Sequence, residues 1–245
     1  MNFVCFTPDA LDALGDPGQP VEEQRLLHAP AGVGVRPEVA APPDGRAVYG
    51  TVYADHLETE HFTINWEAGV ADIDIAARTG TRLEAAWSTL VTEQGWTPPV
   101  SSDRYYLWVL LVNDLGSTGF TTEYITEDYP EGYPVVFLDT AWAGDAPFWS
   151  ALATHEFHHA LQYAVREPRA GSEETWFWEA SASWASLLVE PESAALDYTV
   201  PWYSEQAELS YDSGDGWHPY GMMVFNAWLD TVGVGAGTMK GVWTE

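Results

Sequence analysis

Phe148-Trp149-Ser150-Ala151-Leu152-Ala153-Thr154-His155-Glu156-Phe157-His158-His159-Ala160-Leu161-Gln162-Tyr163-Ala164-Val165-Arg166 is apolar almost all the way round, with Leu152, Phe157, Leu161 and Val165 spread over different helical faces. A helix of this kind belongs inside a protein, so the segments on either side must enclose it. Downstream, residues 174–189 read as a second helix rich in small residues (Ala180, Ser181, Ala182, Ser183, Ala185, Ser186), and residues 220–232 as a third, ended by Gly233. Residues 238–245 look like a helix just beginning, as though the domain ran on.

Upstream the pattern is different. Residues 60–66 alternate Phe62, Ile64 and Trp66 with polar neighbours, which predicts a strand. Residues 70–94 predict a helix with Ile73, Ala76, Ala77, Leu83 and Trp87 on its apolar side, stopped by Pro98-Pro99. Residues 105–112 form a continuous apolar run suited to a buried central strand, and residues 135–138, led in by Pro134, a shorter one. The expected fold class is α+β. A small mixed sheet packs on the 148–166 helix, a mostly helical C-terminal half follows, and the domain covers residues 49–245. Residues 1–48 carry runs such as Gly15-Asp16-Pro17-Gly18 and Ala41-Pro42-Pro43-Asp44-Gly45, the composition of a linker or pro-segment.

Composition narrows the function classes. With 37 acidic against 9 basic residues the formal charge is -28. Such a field repels phosphate backbones and anionic lipid, which argues against nucleic acid and membrane insertion. It suits a secreted or extracellular protein in salty surroundings, although no signal peptide is visible. Cys5 is the single cysteine, so no disulfide forms within the chain.

The chemistry sits in His155-Glu156-Phe157-His158-His159. Residues four apart on a helix lie about 40° apart on one face and about 6 Å along the axis. Two imidazoles so placed can converge on one Zn²⁺, and Glu156 falls beside the metal, where it can act as general base. A catalytic zinc needs a third protein ligand and an open position. Glu179, on the next predicted helix, supplies it if the 166–172 segment turns the chain back. The metal set is then His155, His159 and Glu179. His158 is a rival for His159, but that pairing leaves the motif unexplained. His28, His56 and His61 have no organised partners in the sequence.

His155-Glu156-x-x-His159 followed by Glu179 resembles the gluzincin zinc peptidases, with the spacing of thermolysin-like enzymes. The context Trp176-Phe177-Trp178-Glu179-Ala180-Ser181-Ala182-Ser183-Trp184 is similar to a family of secreted bacterial metalloproteases. The resemblance implies a zincin-like fold, Glu156 as base, a peptide or protein substrate, and Pro134-Val135-Val136-Phe137-Leu138-Asp139 as the edge strand lining the cleft. It also implies an oxyanion donor, for which Tyr220 in Tyr220-Gly221 fits the family's Tyr-then-Gly setting, with His218 as runner-up. Two departures stand out. Position 170 is Ala where thermolysin-like enzymes carry a Tyr, and Ser183 replaces the Asp that supports a ligand His. A hydroxyl is the weaker partner, so another group is expected to orient the imidazoles. The expected activity is zinc-dependent endopeptidase cleavage; the alternative is a zincin-fold peptide-binding protein with little or no turnover.

Overall fold

The apolar runs become the middle of a five-stranded sheet. The computed structural model describes residues 47–48, 51–53, 55–123, 133–165, 175–191, 195–233, 235 and 237–244. Strands β1 (Ala47–Val48) and β2 (Thr51–Val52) pair as a short antiparallel ribbon. The rest of the 1–48 segment lies outside the described residues. Strands β3 (Asp55–Glu58), β4 (Phe62–Trp66), β5 (Leu107–Val112), β6 (Gly119–Glu123) and β7 (Pro134–Asp139) form the main sheet in the order β3-β4-β5-β7-β6. β4, β5 and β7 are parallel neighbours, and antiparallel β3 and β6 close the two edges. The mixed sheet and α+β class are as expected.

Register explains the two-sided core. Ile64 pairs with Val109, Val109 with Val136, and Val136 with Thr121, so these four share one face. That face packs against the helices with Phe62, Leu107, Leu111 and Leu138. The opposite face carries Trp108, Leu110, Val135 and Phe137, covered by Tyr53, Phe120 and Tyr133. Strands buried on both faces read as unbroken apolar runs rather than alternations, which is why β5 and β7 were visible in the sequence.

One strand expectation is corrected. Pro134–Asp139 is not the edge: all six of its residues are buried and β6 lies outside it. The edge strand is Gly119-Phe120-Thr121-Thr122-Glu123, whose short mixed composition gives little strand signal.

Helix α1 (Ile73–Trp87) starts at Asp72, whose side chain accepts from the Ile75 N–H, and continues into a wide turn over Ser88–Glu93. His61, expected to lack partners, instead clamps the β3–β4 turn onto α1. Its Nδ1 lies 2.7 Å from Glu84 Oε2, its main-chain N–H donates to Glu84 Oε1 at 2.8 Å, and its ring stacks on Trp87. Thr59 Oγ1 donates to the same Glu84 Oε1 at 2.6 Å. These bonds tie Thr59 and His61 to one carboxylate of α1.

Helix α2 (Ala146–Val165) is capped by Asp145, which accepts from the Phe148 N–H, and residues 149–163 are buried throughout. Helix α3 (Thr175–Val189) lies antiparallel beside it: Ser186 Oγ donates to Ala151 O at 2.9 Å and Gln162 Nε2 to Trp178 O at 3.0 Å. Small residues of α3 stand at this contact, Ser183 Oγ being 3.2 Å from His155 Nδ1 and Ser181 Oγ accepting from Gln162 Nε2 at 2.9 Å. The turn expected at 166–172 lies outside the described residues. Helix α4 (Ala195–Glu205) was not anticipated. The expected 220–232 helix is broken into α5 (His218–Gly221), α6 (Met223–Trp228) and a turn over Leu229–Gly233, followed by α7 (Thr238–Thr244). Among the described residues, no helix is long and apolar enough to cross a membrane.

Gly221 lets α5 touch α4. A Cβ there would stand 2.6 Å from Tyr203 N and 2.9 Å from Tyr203 Cα, both backbone atoms that cannot swing aside. Gly221→Ala is expected to cost about 1–3 kcal/mol by overpacking. Urea denaturation of the two proteins measures it, and equal midpoints would refute the close contact.

Candidate metal centre

His155 and His159 lie one turn apart on α2, with ring centroids 4.7 Å apart. Their Nε2 atoms are separated by 3.0 Å. Glu179 reaches across from α3, placing Oε2 3.0 Å from His155 Nε2 and 3.6 Å from His159 Nε2. One nitrogen from each imidazole and one carboxylate oxygen thus fall within 4.8 Å of one another, and all three residues are buried. The structure brings together the ligand set expected from the sequence.

The imidazoles are aimed by other side chains. Gln162 Nε2 donates to Trp178 O and Ser181 Oγ, which fixes Oε1 as the atom facing His159 Nδ1 at 2.6 Å. An amide oxygen only accepts, so His159 Nδ1 carries the proton and its Nε2 is left for the centre. Ser183 Oγ lies 3.2 Å from His155 Nδ1. Ser183 therefore does serve one ring, and the second group expected from the sequence is Gln162. It escaped the sequence reading, although three residues after His159 on one helix is a spacing that faces the same way.

Charge is shared within the cluster. Burial alone would depress the His159 pKa, but the Glu179 carboxylate, its hydrogen bond, Glu156 and Gln162 together hold it up at about 9. Burial would likewise raise Glu179, yet the facing imidazoles bring it down to about 2. Glu179 Oε1 is buried and has no hydrogen-bond partner among the described residues. Two nitrogens at 3.0 Å need a proton or a cation between them. Two imidazoles, one carboxylate oxygen with a spare lone pair, and outer partners on both rings fit a divalent ion such as zinc.

The neighbouring residues divide cleanly. His158 turns into the core, its ring 4.5 Å from that of Trp96 and edge-on, with neither nitrogen partnered among the described residues. Burial, then the charges on His159 and His155, hold its pKa well below the ordinary value, so it is a neutral core residue and no ligand. Glu156 is fully buried, and its Oε2 accepts from Thr121 Oγ1 at 3.0 Å. The Tyr220 ring lies nearly parallel to that of His155, with centroids 6.0 Å apart, and is flanked by Trp202 and Trp217. His218, on the same short helix, is buried with both ring nitrogens unpartnered among the described residues and stands outside the three-ligand cluster.

Residues 51–245 match a family model described as a family of unknown function, DUF6055. The chain belongs to the DUF6055 family. No curated protein and no solved structure matches it.

The His159–Glu179 pair gives the metal-free protein a definite pH response. The raised His159 contributes stability that is fully present below pH 6.5 and is lost as pH rises through about 9. The lowered Glu179 contributes stability present above pH 4.5 and lost as pH falls toward about 2. Chelator-treated protein should therefore lose stability between about pH 6.5 and 9, and His159→Gln should flatten that decline. Unchanged pH dependence in the variant would refute the pairing.

Proposed function

We propose that this DUF6055 chain is a zinc-dependent peptidase of zincin-like architecture, cleaving peptide bonds within a protein or peptide substrate. The observation that carries this reading is the meeting of His155 Nε2, His159 Nε2 and Glu179 Oε2 at one buried point, with the Glu156 carboxylate next in sequence to a ligand. A purely structural polar cluster would be expected to satisfy every buried oxygen, whereas Glu179 Oε1 is left without a hydrogen-bond partner among the described residues.

A zinc ion, when bound, would polarise the scissile carbonyl and make a water acidic near neutral pH. The remaining roles belong to the chain. His155, His159 and Glu179 hold the ion, and Gln162 and Ser183 keep the rings turned toward it. Glu156 takes the proton of the attacking water and hands it to the leaving amine. Tyr220, beside His155, donates from its hydroxyl to the oxygen that gains charge, with His218 on the same turn as the second candidate donor. Trp202 and Trp217 form an aromatic wall around Tyr220, suited to apolar substrate side chains.

The test begins with metal content. Purified protein should hold about one zinc per chain, and chelation should abolish cleavage of an unfolded protein substrate. Glu156→Gln should keep the zinc and lower kcat by about 100-fold or more. Wild-type activity in that variant would remove Glu156 from the role. Zinc-replete wild type that cleaves nothing in a broad peptide library would favour the peptide-binding alternative. Gln162→Leu, which leaves His159 Nδ1 without its acceptor, should weaken zinc binding by about 10- to 100-fold in a competition titration; undiminished affinity would show that Gln162 does not orient the ring.

A further inference from the structure

Strand β6 touches the candidate base twice. Gly119 and Thr121 are two residues apart, pairing with Leu138 and Val136, and so project to the same face of the sheet, the one packed against α2. Thr121 Oγ1 lies 3.0 Å from Glu156 Oε2 and 2.7 Å from the Glu156 main-chain carbonyl oxygen. At Gly119 a Cβ would stand 3.1 Å from Glu156 Cγ, 3.1 Å from its Oε1 and 2.9 Å from Phe137 O. The carboxylate is thus confined on one side by a backbone that lacks a side chain and on the other by a hydroxyl. Both restraints come from an edge strand that neither carries a ligand nor belongs to the motif.

We infer that Thr121 is a positioning residue for the Glu156 carboxylate, holding it in place by a hydrogen bond while Gly119 leaves the space in which it lies. The inference rests on the reading of Glu156 as general base. The hydroxyl has one proton and two oxygens within reach. The main-chain carbonyl, at 2.7 Å, is already engaged along α2, and the carboxylate oxygen, at 3.0 Å, is within hydrogen-bond reach of the same hydroxyl, so the hydroxyl restrains the side chain and its own backbone together. Without that donor the buried carboxylate loses one of the restraints on its position. A general base works only within hydrogen-bond reach of the proton it removes, so a small displacement shows in turnover rather than in binding.

Two measurements test this, one of them independent of catalysis. In metal-free protein, unfolding midpoints of Thr121→Val, Glu156→Ala and the double variant form a thermodynamic cycle. Non-additive shifts are expected. Strict additivity would mean that the hydroxyl serves only the main-chain carbonyl, and would overturn the proposal. In the zinc-loaded enzyme, Thr121→Val should bind zinc with wild-type stoichiometry, lower kcat by about tenfold or more and leave KM within about twofold. Thr121→Ser, which keeps the hydroxyl, should recover most of the loss. Equal kcat for the Val variant and wild type would overturn the proposal, as would a Ser variant no better than Val. If Thr121→Val fails to fold, Thr121→Ser and Thr121→Ala take its place in both measurements, with Ala expected to fall and Ser to hold. A wild-type protein without hydrolytic activity would sink the peptidase reading, while the stability cycle would still decide whether Thr121 holds Glu156.

Discussion

The contact on which the rest depends is that between Glu179 and the imidazoles of His155 and His159, made in the middle of an apolar helix pair. Taking a carboxylate and two imidazoles out of water is costly unless each finds an opposite charge, a hydrogen bond or a metal. Here the carboxylate and the rings supply one another, and the residual demand falls on Gln162 and Ser183. That arrangement requires α2 and α3 to run antiparallel at short range. That range is held by small α3 residues at the contact: Ser183 Oγ stands 3.2 Å from His155 Nδ1 and Ser186 Oγ donates to Ala151 O at 2.9 Å, so a bulkier side chain at either would push the helices apart and withdraw Glu179 from the rings.

The sheet supports this contact from behind. Phe157, fully buried on α2, packs edge-on against Phe62 of β4 and stacks with Trp87 of α1, so the first helix, the sheet and the ligand helix share one aromatic junction. On the opposite side α5 lays Tyr220 beside His155, and the absence of a side chain at Gly221 allows α5 to lie directly on α4. The centre therefore sits between the α2–α3 pair and the short C-terminal helices, with the sheet behind α2.

What the sequence made legible follows from how strongly each feature biases a short window. The all-round apolar character of α2, the small residues of α3 and the unbroken runs of β5 and β7 are local properties, and the described elements fall where those properties put them. The cluster of His155, His159 and Glu179 was legible because helical phase fixes the relation between positions 155 and 159, and Glu179 stands on the next helix, which turns back beside the first. The edge strand was not, because Gly119-Phe120-Thr121-Thr122-Glu123 owes its conformation to pairing with β7 rather than to its own propensity. Thr121 and Gln162 were missed for a related reason. Their importance lies in what they touch, Glu156 from another element in one case and both His159 and Trp178 O in the other. Position 134–139 shows the converse: a strong strand signal marked a central strand, since the apolar run that makes a strand conspicuous also buries it on both faces.

His158 and His159 show how far position decides chemistry when residue type does not. They are adjacent, both buried, and one helical step of about 100° separates their side chains. His159 faces Glu179 and Gln162, and its pKa rises to about 9. His158 faces Trp96 and Trp184, finds no hydrogen-bond partner among the described residues, and its pKa falls well below the ordinary value. One ring is drawn toward charge and the other kept from it by burial. The same step from His155 to Glu156 moves from the ligand face to the Thr121 side of the helix. A helix buried on every side thus presents different environments around its axis, and in this stretch of α2 they sort the four polar residues into His155 and His159 facing Glu179, Glu156 facing Thr121, and His158 facing Trp96.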